Sequence, residues 1–144
     1  MKDENGDGRI DYVSVSSNGL PQSTSLDRNK DGQYDFRECY MNDDVVKSEA
    51  DNDFDGRFDE WTTFYYGLPS TVETDADGDG RIDTFASYTN GIISYSVIRM
   101  TRGKEDFFTE YFNHGIRSKV VIKKDGKERI LKCGKYGQIE LGDE

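Results

Sequence analysis

Short runs of β-branched and aromatic residues alternate with small polar ones along this chain, and each run breaks within a few residues at a turn signal. Three such stretches read YVSVSSNGLPQSTSL (residues 12–26), EWTTFYYGLPSTVET (60–74) and TFASYTNGIISYSVI (84–98), with Gly19, Gly67 and Gly91 near their middles. Two runs divided by Asn18-Gly19 or Asn90-Gly91 predict a β-hairpin, because a two-residue type I′ turn needs positive φ at both central residues. Helices would tolerate this Gly and Pro content poorly. A further stretch, FRECYMNDDVVKSEA (36–50), has Asn42-Asp43 in place of the Gly-centred turn, and its phase among the others predicts another hairpin.

The same spacing continues toward the C-terminus. FFTEYFNHGIRSKVVI (107–122) keeps Gly115 at the turn, a closing hairpin is expected around Asp125-Gly126, and a terminal strand near Gln138 to Leu141. Aligned columns make three rows: Tyr40, Phe64, Tyr88 and Phe112; Leu20, Leu68, Ile92 and Ile116 just beyond the turns; and Ile10, Tyr34, Phe58 and Ile82. Rows of this kind predict packing between repeats. Trp61, Phe64, Tyr65 and Tyr66 cluster before Gly67, and in a chain poor in Leu and Val their burial is expected to replace aliphatic burial. A contact surface for protein or carbohydrate is the other use of such rings.

Acidic loops join the hairpins. They begin at Asp3, Asp27, Asp51 and Asp75, a 24-residue interval, and each reads D-x-[DN]-x-D-G-x-x-D. The side-chain oxygens are Asp3, Asn5, Asp7 and Asp11; Asp27, Asn29, Asp31 and Asp35; Asp51, Asp53, Asp55 and Asp59; and Asp75, Asp77, Asp79 and Asp83. Calcium takes roughly six to eight oxygens, and residues 1, 3, 5 and 9 of such a loop converge on one ion while residue 7 offers its carbonyl. Residue 7 is Arg9, Gln33, Arg57 or Arg81, none with a side chain suited to ligation. Glycine at residue 6 permits the sharp turn. Magnesium fits less well, since it demands near-ideal octahedral geometry and keeps its waters. An isolated Asp-Asn-Gly cluster is a solvated turn, but copies in identical register predict a calcium array of about four ions. Loop 2 alone has an acid at residue 12, Glu38, which makes it the expected tightest site.

The predicted fold is therefore all-β, an antiparallel meander of repeated β-hairpins on a 24-residue period with calcium loops along one edge. Four repeats (3–26, 27–50, 51–74 and 75–98) make up residues 1–98. Residues 99–144 form a degenerate fifth repeat, whose loop RMTRGKEDF has lost the ligand pattern, and a capping hairpin in the same domain.

Composition sharpens this picture. Hydrophobic and charged residues each make up 33% of the 144-residue chain, close to the disordered regime unless something else supplies folding energy. Residues 1–98 carry 8 basic and 21 acidic side chains and residues 99–144 carry 11 and 8, so the acidity sits with the loops. Four Ca²⁺ ions would move the net charge from −10 to −2 and remove a self-repulsion that opposes compaction. Nucleic acid is excluded as a partner by this charge. No apolar run approaches a membrane-spanning length, and no signal-peptide pattern precedes the first repeat, so an excised or mature segment is expected. Cys39 and Cys133 leave a disulfide and two free thiols both open, with no zinc-type spacing.

The nine-residue pattern at 3–11, 27–35, 51–59 and 75–83 resembles the calcium loops of thrombospondin type 3 repeats and of FG-GAP repeats in integrin-like propellers. It is also similar to tandem hairpin repeats of bacterial surface and secreted proteins. The resemblance implies a structural ion held by the named Asp and Asn residues. EF-hands and dockerins share the opening residues, but the residue-12 acid is missing at Ser14, Thr62 and Ala86, and the flanks read as strands.

No catalysis is expected. His114, the single histidine, sits beside a turn glycine, no G-x-S-x-G elbow is present, and the conspicuous carboxylate pairs all belong to loops. The expected function is a calcium-binding structural module of an extracellular or cell-envelope bacterial protein, a rigid scaffold or interaction surface. The alternative is a calcium-responsive, dockerin- or EF-hand-like module that binds a protein or glycan. Oligomeric state is not legible.

Overall fold

The computed structural model describes residues 1–100 and 106–139. Among them there is no helix, and eleven strands follow one another: β1 (Tyr12–Ser17), β2 (Leu20–Leu26), β3 (Phe36–Met41), β4 (Asp44–Ala50), β5 (Glu60–Tyr65), β6 (Leu68–Thr74), β7 (Thr84–Thr89), β8 (Ile92–Arg99), β9 (Phe107–Asn113), β10 (Ile116–Lys124) and β11 (Lys127–Lys132). Strand order in the sheet is sequence order, β1 through β11, so the chain is the expected all-β antiparallel meander.

Two residues separate the strands of every hairpin, and both have positive φ, as the type I′ geometry demands. Asn18-Gly19 lies at 52° and 81°, and Asn90-Gly91 at 52° and 74°. Asn42-Asp43 makes the same turn without glycine, at 52° and 69°, because short Asx side chains tolerate the left-handed region. His114 also occupies it at 50°, and so does Tyr66 at 49°, although a bulky residue is rare there. Near these turns the register slips by one residue. Gln22, Val46, Ser94 and Ser118 are the extra residues in their hairpins, each left without a facing partner.

The chain forms two compact units, Met1–Pro69 and Ser70–Glu144. In the first, cross-strand partners line up as Ser14, Thr24, Glu38, Ser48 and Thr62 on one face. The other face carries Val13, Ser25, Arg37, Glu49 and Trp61, with Arg37 3.8 Å and Lys47 2.7 Å from Glu49. In the second unit one face aligns Val72, Ala86, Ser96, Glu110, Val120 and Leu131. Its other face carries rings. Phe85 and Tyr95 lie 5.7 Å apart, Tyr95 and Tyr111 6.2 Å, and the Lys119 ammonium sits 4.1 Å from the Tyr111 ring.

Apolar burial is slight. Among the described residues the buried hydrophobic side chains are Ala50, Ala86 and Val120. The expected apolar row beyond the turns is exposed at Leu20, Leu68, Ile92 and Ile116, and Ile10 and Tyr34 of the loop row are exposed as well. The column Tyr40, Phe64, Tyr88 and Phe112 is half-buried, and the ring contacts run instead through Phe85, Tyr95 and Tyr111. Trp61 and Phe64 are half-buried, whereas Tyr65 and Tyr66 stand 70% and 80% exposed and touch each other edge-on at 4.5 Å. The terminal strand expected near Gln138 to Leu141 runs beyond the described residues, which show one bridge between Cys133 and Ile139. Most of the expected fifth loop also lies outside them. Both cysteines are free thiols.

Candidate metal centre

The four loops lie at the strand ends opposite the two-residue turns of their unit. Loop 1 (residues 3–11) enters β1, loop 2 (27–35) joins β2 to β3, loop 3 (51–59) joins β4 to β5, and loop 4 (75–83) joins β6 to β7. Their first and ninth residues finish the strand ladder. The Asp27 amide donates to the Asp11 carbonyl at 2.8 Å, Asp51 to Asp35 at 2.8 Å, Asp35 to Leu26 at 2.9 Å, and Asp59 and Asp83 to Ala50 and Thr74 at 2.8 Å. A sheet-end position buries what it holds, so Asp11, Asp27, Asp35, Asp51 and Asp75 are all buried.

Inside each loop the acids wind the backbone around themselves. In loop 2, Asp27 Oδ1 accepts from the Lys30 amide at 2.7 Å and Oδ2 from Gly32 at 2.7 Å. Asn29 accepts from the Asp31 amide at 3.1 Å, Asp31 from Gln33 at 2.8 Å, and Asp35 from Arg28 at 2.7 Å. The residue-6 glycine amide donates to the residue-1 carboxylate in the other loops too, at 2.9 Å for Gly8, 2.9 Å for Gly56 and 2.8 Å for Gly80. Likewise the residue-9 carboxylate accepts from the residue-2 amide of Glu4 at 2.7 Å, Asn52 at 2.7 Å and Ala76 at 3.0 Å. These are Asx-turn bonds, which draw alternate side chains inward. An ionised carboxylate has about four acceptor sites, so oxygen remains for a cation.

In each of two acid triads the three members come close enough to share one ion. A carboxylate oxygen from each of Asp51, Asp53 and Asp59 lies within 4.8 Å of the others, and so does one from each of Asp75, Asp77 and Asp83. All-oxygen, carboxylate-rich donors suit a hard divalent cation. Asp75 Oδ1 supports the fit, being buried with no hydrogen-bond partner of its own. Charge crowding is visible at Asp53. The Asp55 amide pulls its pKa down, but desolvation, the charges of Asp55 and Asp59 and a side-chain hydrogen bond with Asp51 outweigh that bond and leave it raised.

Of the remaining candidates, Asp55 and Asp79 accept from the amides of Arg57 and Arg81 at 2.9 Å. Asp7 does the same for Arg9 at 2.8 Å, Asp3 accepts from Gly6 at 2.6 Å, and Asn5 accepts from Asp7 at 3.0 Å. Arg9 has a second use for its side chain. Its guanidinium donates to the Asp31 carbonyl and fills the space beside Gly32, where an added Cβ would meet it at 2.9 Å. Gln33 sits similarly against Gly56. Glu38 stands apart from loop 2: it is a β3 residue facing Thr24 and Ser48, and its carboxylate accepts from the Tyr40 hydroxyl at 2.6 Å. That bond raises the Tyr40 pKa.

Sequence reasoning passed over residues 2 and 4 of the loops, which carry charges onto the residue-9 acids. Lys30 Nζ reaches Asp11 at 3.3 Å and Glu4 at 3.1 Å. The hydrogen bond from Lys30 lowers the Glu4 pKa, and the Glu4 amide, followed by Lys30, lowers that of Asp11 against desolvation. Arg28 Nε donates to Asp35 Oδ1. Its Nη2 spans to the Asp51 carbonyl at 2.8 Å, and the guanidinium lies 5.5 Å from the rings of Phe36 and Phe54. The only sequence signal for these contacts is a basic residue inside an otherwise acidic loop. No protein-family model matches the chain and no curated protein matches it.

Proposed function

We propose that this chain is a calcium-binding structural repeat module of an extracellular or cell-envelope bacterial protein, serving as a rigid scaffold or interaction surface. One observation carries the reading: acid triads at residues 1, 3 and 9 converge within 4.8 Å in a chain whose buried described hydrophobic residues are three, two of them alanines. Such a sheet gains little from apolar burial, and ion binding by a site absent from the unfolded chain is folding free energy. The repeat reading draws support from strand starts at Tyr12, Phe36, Glu60 and Thr84 and from the extra residues Gln22, Val46, Ser94 and Ser118. Calcium at millimolar extracellular levels fills even sites of about 10⁻⁴ to 10⁻³ M, which makes the scaffold constitutive. The exposed Tyr65 and Tyr66 pair favours a second reading, in which the module also offers a contact surface to a protein or glycan.

Far-UV circular dichroism melts in EDTA and in millimolar calcium, with calorimetric titration of the metal-free protein, test this reading. A higher and sharper melt in calcium, with about four ions bound at saturation, is the expected result. Identical melts and no binding heat would leave the loops as acidic turns.

A further inference from the structure

The loops differ in what already neutralises the residue-9 acid. In loop 2 all four oxygens of Asp27 and Asp35 accept hydrogen bonds, and the one at Asp35 Oδ1 comes from the Arg28 guanidinium. In loop 1 the Lys30 ammonium lies 3.3 Å from Asp11 Oδ2, leaving Oδ1 buried without a partner. In loop 3 residue 2 is Asn52, whose neutral side-chain amide donates to Asp59 Oδ1 at 3.2 Å. In loop 4 residue 2 is Ala76, which offers no side-chain donor, and Arg99 of β8 stays 4.0 Å from Asp83 while donating to the Ile82 carbonyl at 2.7 Å. Loop 4 is also where Asp75, 7% exposed, keeps Oδ1 unpartnered within the triad. Residue 3 reinforces the difference, being Asn5 and Asn29 in the first two loops and Asp53 and Asp77 in the last two.

We infer that the loops fill unequally: loops 3 and 4 are the primary divalent-cation sites, and loop 2 is held shut by Arg28, a built-in cation that stands in for the ion. This rests on the calcium reading above and adds an order to it. Affinity in such loops follows ligand charge, and an ion entering loop 2 must first displace a guanidinium bound to Asp35 and anchored on Asp51, Phe36 and Phe54. The acid at Glu38 does not offset this, since it is engaged by Tyr40 away from the loop.

The residue-6 glycine amides give one reporter per loop, because each donates to the residue-1 carboxylate that would ligate the ion. Calcium is titrated into the full chain and the amide resonances of Gly8, Gly32, Gly56 and Gly80 are followed by two-dimensional NMR. Gly56 and Gly80 are expected to shift at calcium concentrations about tenfold below that for Gly32. In Arg28→Gln the Gly32 midpoint falls to join them. Asn52→Arg is the reciprocal variant, placing a guanidinium opposite Asp59, and it raises the Gly56 midpoint by about tenfold without touching Gly80. Should Gly32 shift together with Gly56 and Gly80 in the unaltered chain, the order of filling is wrong while the calcium reading stands. An unmoved Gly32 midpoint in Arg28→Gln, together with an unmoved Gly56 midpoint in Asn52→Arg, overturns the role of the guanidinium. No shift of any glycine in about 10 mM calcium defeats both readings.

Discussion

Asp27 is bound into loop 2 by the loop's own backbone amides. It is 1% exposed, and its two oxygens accept from the amides of Lys30, Asp31 and Gly32. Replacing it with alanine strands buried donors at a cost of about 1–3 kcal/mol. Asp27→Ala should therefore lower the urea midpoint even in EDTA, and by more than Asp3→Ala, whose loop lies largely exposed. Protons act at the same scale. The folded-state pKa values of Glu4 and Asp11 are depressed, so their pairing with Lys30 adds stability above the ordinary carboxylate range, and that stability is lost as the pH falls through the lowered values. Metal-free melts of the unaltered chain and of Lys30→Gln should differ near neutral pH and converge in acid. An undiminished gap in acid would remove the Glu4–Lys30–Asp11 network as its source. The triads at residues 1, 3 and 9 of loops 3 and 4 were legible because acids at fixed spacing carry their chemistry locally. Lys30 was not, since its acceptor Asp11 belongs to the preceding loop, nor was Arg28, which bridges Asp35 of its own loop to the Asp51 carbonyl of the next in a way only the folded register allows.

Hairpins were the most legible elements, including the one at Asn42-Asp43, because a two-residue connection leaves the backbone few alternatives. The packing of their side chains was not. Columns at the 24-residue spacing do share a row, as Ser14, Glu38 and Thr62 do, but their members sit on alternate strands, so the residues that meet are cross-strand neighbours such as Ser87 and Tyr95 or, past the register shift, Tyr88 and Ile93. The turns retain strain that can be relieved. His114 holds φ at 50° beside Gly115, a conformation that costs a non-glycine residue about 1 kcal/mol and that asparagine tolerates better. His114→Asn should raise the denaturant midpoint, and an unchanged midpoint would show that this turn stores no strain. Trp61 tests the β5 face. It lies half-buried opposite Glu49, so Trp61→Ala should destabilise by about 1–3 kcal/mol. Preserved stability in that variant would point to surface use of the ring.

At the level of the whole molecule the pattern forecast an antiparallel meander, and the chain forms one, but the forecast apolar rows lie half-buried or exposed for a reason rooted in composition. With hydrophobic residues at 33% and threonine, serine and aspartate at many buried positions, the described strands are held by ladder bonds, loop bonds and a few ring contacts. Because every strand neighbours only those next to it in sequence, no contact waits on the closure of a long chain segment. Length is thus a free parameter of the design. Excision of residues 27–50 joins Leu26 directly to Asp51 and sets β2 beside β5 through the same kind of acidic link, so the shortened chain should fold, with one ion fewer at saturation. Gene duplication or loss in whole units would tune the reach of such a protein without reinventing its architecture.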